Sequence, residues 1–324
     1  MTDAAGAAQR PPRVRIQRRP VHGVLLLDKP LGLSSNDALQ KAKWLLRAEK
    51  AGHTGTLDPG ATGLLPLCFG AATKFSQVSL DADKVYRADV RLGVTTDSGD
   101  AQGKVLSERN VQVNQAQLDD VLARFRGEID QVPPMHSALK RDGKPLYEYA
   151  REGVTLERAP RRVTIHELHA DWSPERQDHL VLWVRCSKGT YIRTLAEDIG
   201  EALGCGASLS GLRRLASGPL KVEQAITLQA LEALAEGERL ARLLPADELL
   251  RDWPAVELES DEAARFITGL RRRVAQADCA AVRVFGPRVS QTTDRRPFLG
   301  SAHIRAGELI PDRLLSPPEI QAQA

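Results

Sequence analysis

The chain has 324 residues, 42% hydrophobic and 27% charged, with a net charge of +3 and an isoelectric point near 8.7. This composition excludes a disordered or fibrous chain, and no stretch approaches the length of a membrane-spanning helix. One large domain or two fit the length, and the mild basicity permits a nucleic-acid partner without demanding one.

Charge is unevenly placed. Arg10, Arg13, Arg15, Arg18 and Arg19 crowd the first twenty residues against the single acid Asp3, so residues 1–20 are expected to be a basic, disordered tail. Residues 1–23 carry no apolar segment of the signal-peptide kind, and a cytoplasmic protein is expected. Cys68, Cys186, Cys205 and Cys279 are widely separated and read as buried, reduced thiols. His166-Glu167-Leu168-His169 falls one residue short of the i, i+4 spacing of a helical zinc motif. It reads as strand, and no metal site is expected.

In chain order, residues 23–28 form an apolar strand, and Ser34 or Ser35 can cap a helix over about 36–48 with the stripe Ala38, Leu39, Ala42, Leu45 and Leu46. Residues 71–80 read as a short helix carrying Lys74. From Tyr86 to Leu92 the alternation is clean, with Tyr86, Ala88, Val90 and Leu92 on the buried side. Asp97-Ser98-Gly99-Asp100 is turn chemistry, and Asn114 can cap a helix with Leu118, Val121, Leu122 and Phe125 inward. Residues 131–162 hold Pro133, Pro134, Pro145 and Pro160, and seven Lys or Arg against four acids after position 139. They are expected to form an exposed insertion. Strand signals return at 162–169 and 180–187, and Ile192, Leu195, Ala196, Ile199 and Leu203 make a helical stripe. Residues 228–250 read as helix, Trp253-Pro254 as a domain boundary, and 279–285, 298–304 and 309–315 as short strands. This order of strands and helices predicts an α+β fold, with a mixed central sheet and flanking helices.

The most unusual stretch is Gly52-His53-Thr54-Gly55-Thr56-Leu57-Asp58-Pro59-Gly60-Ala61-Thr62-Gly63-Leu64-Leu65-Pro66-Leu67. Its glycines and prolines write a compact, multiply turned backbone around one acid, Asp58. No Lys or Arg lies between Ala51 and Gly70, so a distant cation is needed to pair this carboxylate near an apolar core. On residue types alone Asp58 could equally begin an Asx-turn.

The run resembles the TruB-type tRNA pseudouridine synthases of bacteria. The resemblance continues through Leu27-Asp28-Lys29-Pro30, Ala72-Thr73-Lys74-Phe75, Lys84-Val85-Tyr86-Arg87, Pro134-Met135-His136-Ser137-Ala138-Leu139-Lys140, Leu146-Tyr147-Glu148-Tyr149-Ala150-Arg151, Gly189-Thr190-Tyr191-Ile192-Arg193 and Leu212-Arg213-Arg214-Leu215. It implies a pseudouridine synthase domain over residues 21–250 and an RNA-binding thumb at 131–162. A PUA-like β-barrel would follow at 251–316, and a tail at 317–324. It further implies a cofactor-free, metal-free monomer that converts uridine 55 in the T-arm stem-loop of tRNA to pseudouridine after flipping it out of the loop.

By that resemblance the catalytic residues are Asp58, its partner Arg193, and Tyr86, stacked on the flipped base. Tyr191, His53 and Leu212 line the base pocket. Lys29, Lys74, Lys140, Arg151, Arg213 and Arg214 are the expected phosphate contacts. Whether the carboxylate attacks C1′, adds at C6 or takes the 2′ proton stays open. A non-catalytic tRNA-binding or folding protein on the same fold is the alternative.

Overall fold

A computed structural model of the chain describes residues 17–288 and 296–323. The expected tail at residues 1–20 falls largely outside the described residues. Its last residues are anchored: Arg19 N–H donates to Arg47 O (2.9 Å), and its guanidinium pairs with Glu236 (2.9 Å).

The N-terminal part of the chain is built on a ten-stranded mixed sheet. Its main strands are β1 (Gly23–Lys29), β2 (Ala51–His53), β3 (Ala61–Phe69), β4 (Lys84–Leu92), β5 (Gly127–Gln131), β6 (Arg161–Trp172), β7 (His179–Cys186), β8 (Ala207–Ser217) and β9 (Ile226–Thr227). They run in the order β9-β1-β3-β8-β4-β7-β6-β5, with β2 paired to β3 off this path. The β9–β1 and β8–β3 pairs are parallel, and the other neighbours on the path are antiparallel.

Helices cover the sheet where the sequence is apolar. Helix α1 (Ser35–Leu45) starts at Ser34, whose hydroxyl accepts from Asp37 N–H, and it packs Ala38, Leu39 and Ala42 on Leu65, Leu67 and Phe69. After α2 (Ser76–Asp81) comes α3 (Gln115–Arg124), which begins in a capping box between Asn114 and Gln117. The thumb carries α4 (Leu146–Arg151), and α5 (Ile192–Ala202) joins α3 over the inward face of β4, where Tyr86, Ala88, Val90 and Leu92 are buried. β3 is buried on both faces, and so it reads as a continuous apolar run.

The C-terminal unit is β10 (Ala255–Glu257), β11 (Arg272–Arg273), β12 (Cys279–Phe285), β13 (Phe298–Arg305) and β14 (Glu308–Leu314), ordered β10-β12-β13-β14-β11. The expected barrel is a curled half-barrel among the described residues, since β10 and β11 each pair on one side only. It surrounds Phe266, Val284, Ala302 and Leu309, as expected for a small PUA-like unit.

Three expected elements differ. Residues 228–250 form not one helix but Leu228–Ala233, Glu236–Leu240 and a 3-10 turn at Ala246–Leu250. Pro245 cannot continue a helix, and Leu244 exchanges backbone hydrogen bonds with Val24 of β1 (2.8 Å each). Residues 71–80 are split into a 3-10 turn, Gly70–Lys74, and α2. The expected tail at 317–324 contains a helix, Pro317–Gln321, docked on the body. Glu319 reaches Lys74 (2.5 Å), and the Gln323 side chain bonds both backbone groups of Phe298 (3.1 and 3.0 Å). Of the cysteines, Cys279 is partly exposed and the other three are buried.

Phe298 is 1% exposed, with its ring centroid 5.2 Å from that of Phe75 and 5.6 Å from that of Phe285, so the two domains share one core. Phe298→Ala is expected to lower stability by about 3–5 kcal/mol, as for other buried aromatic truncations. Urea unfolding checks this, and an unchanged midpoint would show that the domains do not depend on each other.

Candidate active site

The acid-bearing loop, residues 54–60, joins β2 to β3 and is fixed at several points. The buried Ser35 hydroxyl accepts from Leu57 N–H (2.7 Å) and donates to Leu57 O (2.9 Å). Gly32 N–H donates to Pro59 O (2.8 Å), and Ala61 N–H to Asp58 O (3.0 Å). Arg214, 1% exposed, sends Nε to Leu64 O (2.7 Å) and Nη2 to Gly55 O (3.1 Å), which ties β8 to the loop. Gly63 permits this approach. It has φ +101°, and a Cβ there would lie 2.2 Å from Arg214 O.

Arg193 comes from the first turn of α5 and meets this loop. Its side chain is 6% exposed and that of Asp58 46%, with Nη2 2.9 Å from the carboxylate. Nη1 donates to Ser98 O (2.9 Å) and Nη2 also to His136 O (2.5 Å), while Asp100 Oδ2 lies 3.8 Å from Nη1. A buried guanidinium without such partners would be costly. The pair is therefore anchored from the arginine side, and the carboxylate is left open to ligand.

Beside the pair is a cavity of about 360 Å³, within the range of about 300–1,000 Å³ usual for small-molecule sites. Tyr86, Tyr191 and Leu212 line it together with Asp58 and Arg193, and Ser137, Ala138 and Leu139 at the root of the thumb form another part of the wall. Burial raises the pKa of Tyr86, and the charge of Arg214 acts against that rise. Tyr191 is held at the backbone by the Gln131 amide, which accepts from its N–H (2.8 Å) and donates to its carbonyl (3.0 Å).

The expected phosphate contacts divide sharply. Lys140 and Arg151 stand exposed on the thumb, with the Arg151 guanidinium 5.2 Å from the Tyr147 ring centroid. The other four are engaged by protein groups, Lys29 and Arg214 in the interior and Lys74 and Arg213 with about one-third of the side chain exposed. Lys29 is fully buried, donating to Leu33 O (2.6 Å) and Pro30 O (2.9 Å). Arg214 is buried in the wall just described. Lys74 bonds Leu314 O (3.0 Å) and Glu319, which makes it a strut to the C-terminal unit. Arg213 pairs through two bonds with Asp28 (3.0 and 2.8 Å), and it faces away from the cavity because strand residues alternate and Arg214 and Leu212 face inward. His53 does not line the cavity. It is half-buried on β2, its pKa is lowered first by burial and then by the charge of Arg214, and its Nδ1 has no hydrogen-bond partner.

Sequence reasoning passed over several residues at the site. In the sequence, Asp100 and Ser98 show only turn chemistry. Glu197, one helical turn after Arg193, is pushed up to about 7 by burial and next by the charge of Asp198. The i, i+4 spacing of Arg193 and Glu197 was a usable signal. Lys84 lines the cavity yet donates to Ser79 O, Leu80 O and Ala82 O (3.1, 2.6 and 2.5 Å).

The architecture is the pseudouridine synthase fold. A solved structure titled "Crystal Structure of a Cbf5-Nop10-Gar1 Complex" matches it with a TM-score of 0.69 and 25% identity, covering 95% of this chain and 88% of that one. Residues 43–192 match the TruB family pseudouridylate synthase N-terminal domain, and residues 193–251 the tRNA pseudouridylate synthase B C-terminal domain. Proteins named tRNA pseudouridine synthase B are similar over nearly their whole length. The one from Verminephrobacter eiseniae (strain EF01-2) is 60% identical over 95% of this chain and 93% of its own. That from Cupriavidus pinatubonensis (strain JMP 134 / LMG 1197) is 58% identical over 97% and 99%. The chain belongs to the TruB family of pseudouridylate synthases.

Burial, then the charge of Arg214, lowers the Lys84 pKa from 10.5 to about 8. Across that window the folded state binds fewer protons than the unfolded state, so the contribution of this site to stability rises with pH. Measured against Lys84→Met, the wild-type urea midpoint is expected to gain between pH 8 and pH 10. A difference that stays flat or falls would contradict this reading of the site.

Proposed function

We propose that this chain is an isomerase that converts uridine 55, in the T-loop of tRNA, to pseudouridine, with Asp58 as the catalytic carboxylate. The carrying observation is the Asp58–Arg193 pair, 2.9 Å apart, at the edge of a cavity walled by Tyr86, Tyr191 and Leu212. The names of the relatives support the class of substrate.

The reaction breaks the N1–C1′ bond, rotates the uracil in place and joins C5 to C1′. The C5 proton is lost to solvent and N1 is left protonated, so product and substrate are isomers. What the protein must supply is a carboxylate beside the ribose, acting as nucleophile, as electrostatic partner of a cationic C1′, or as base. Arg193, 2.9 Å away, orients that carboxylate. Extruding the uridine costs stacking, which the Tyr86 ring replaces at about 1–3 kcal/mol. Tyr191 and Leu212 enclose the base while it turns.

The thumb, with Lys140 and Arg151 exposed, docks the T-arm stem-loop by its backbone, so recognition rests on RNA shape and unstacked loop bases. The protein works as a monomer in the cytoplasm, where its tRNA substrate is made. The rival reading, a tRNA-binding protein without catalysis, leaves the Asp58–Arg193 pair without a role.

Asp58→Asn preserves side-chain volume and removes the charge. It is expected to abolish pseudouridine formation while tRNA affinity changes by less than about threefold, since the lost interaction matters only at the reacting centre. Filter binding and product analysis on the same preparation decide it. Near-normal turnover would remove Asp58 from the chemistry.

A further inference from the structure

Four cations line the cavity: Lys84, Lys188, Arg193 and Arg214. Three are engaged by protein groups. Arg193 is taken by Asp58 and two carbonyls, Arg214 by two carbonyls, and Lys84 by three. Lys188 differs in both exposure and partner. Its side chain is 61% exposed, and Nζ lies 2.8 Å from Asp81, itself 44% exposed.

A nucleotide that enters base-first leaves its two flanking phosphates at the rim, because a dianionic stretch of backbone cannot follow the base into an apolar pocket. A rim cation within reach of the base pocket is what such a phosphate needs. Resting on the reading of this cavity as the uridine site, we propose that Lys188 takes a backbone phosphate beside the extruded uridine, and that Asp81 holds the lysine until RNA arrives.

The local geometry supports an exchangeable contact. Lys188 sits on a short loop whose shape is set by Thr190 Oγ1 donating to Ser187 O (2.9 Å) and by Gly189 at φ +80°. The backbone is therefore fixed while the lysine stem is free to swing. Asp81 is the last residue of α2, where unpaired carbonyl ends disfavour a carboxylate, and it also accepts from Gln77 (3.0 Å). Hydrogen bonding to Lys188 is the largest influence lowering the Asp81 pKa. An ion pair between two exposed side chains is weak and screened by salt, so a phosphate competes for the lysine readily. Lys188 is in this sense a positioning residue, acting on the backbone and not on the reacting atoms.

The test uses the full chain and an unmodified T-arm stem-loop RNA, bound across a salt series and turned over at saturation. Lys188→Gln is expected to weaken binding about two- to fivefold at low salt, flatten the salt slope by about 0.7 and raise KM more than it lowers kcat. Asp81→Asn, which frees the lysine, is expected to tighten binding. A stem-loop with neutral methylphosphonates on both sides of the target uridine should cost the wild type affinity and cost Lys188→Gln none. Equal salt slopes for wild type and Lys188→Gln, or a methylphosphonate penalty equal in both, would overturn the assignment. Wild-type binding without pseudouridine formation would instead overturn the isomerase reading, and the salt slopes would still decide Lys188.

Discussion

The structure turns on one asymmetric ion pair. Arg193 is buried and Asp58 is half exposed, so the pair is anchored from the arginine side. A guanidinium in that position needs acceptors, and they are drawn from three separate segments: Asp58 of the acid-bearing loop, the carbonyl of Ser98, and that of His136 at the root of the thumb. These segments must converge for the domain to fold. Their convergence also sets the carboxylate beside the cavity, so the stability of this corner and the geometry of the site have the same origin.

A second cation does comparable work deeper in the sheet. Arg214 joins β8 to the loop through Leu64 O and Gly55 O, at a place where Gly63 lets the two strands close. With Lys29, Lys74, Lys84 and Arg213 also committed to carbonyls or carboxylates, the basic residues fall into two groups. Those five hold the framework together, whereas Lys140 and Arg151 on the thumb and Lys188 at the cavity rim are exposed. Net charge alone hides this division.

Much of the framework was readable before any coordinates. The period-two pattern of β4 and the stripe of α5 follow from burial on one face, and both appear as expected. The missing counter-ion of Asp58 required a distant cation. What failed did so for identifiable reasons. A leucine- and alanine-rich stretch such as residues 228–250 has helix propensity, and it is the tertiary contact of Leu244 with β1 that interrupts it. The docked helix at 317–321 exists because Lys74 and Phe298 receive it, which no local pattern reveals. Lysine and arginine side chains are long enough to end in solvent or on a buried carbonyl, and residue type does not decide between these. Strand alternation did carry one unused signal: adjacent residues such as Arg213 and Arg214 cannot both face the cavity.

The central claim is that the uridine of the T-loop is isomerised in the cavity beside Asp58. The most direct measurement is tritium release by the wild-type protein from a tRNA transcript carrying 5-tritiated uridine, beside a transcript in which only uridine 55 is replaced by cytidine. C5 loses its hydrogen when it becomes the glycosidic carbon, so the account predicts release of about one tritium per unsubstituted tRNA and none from the substituted one. Equal release from both transcripts would contradict the assigned position, and no release from either would contradict the reaction.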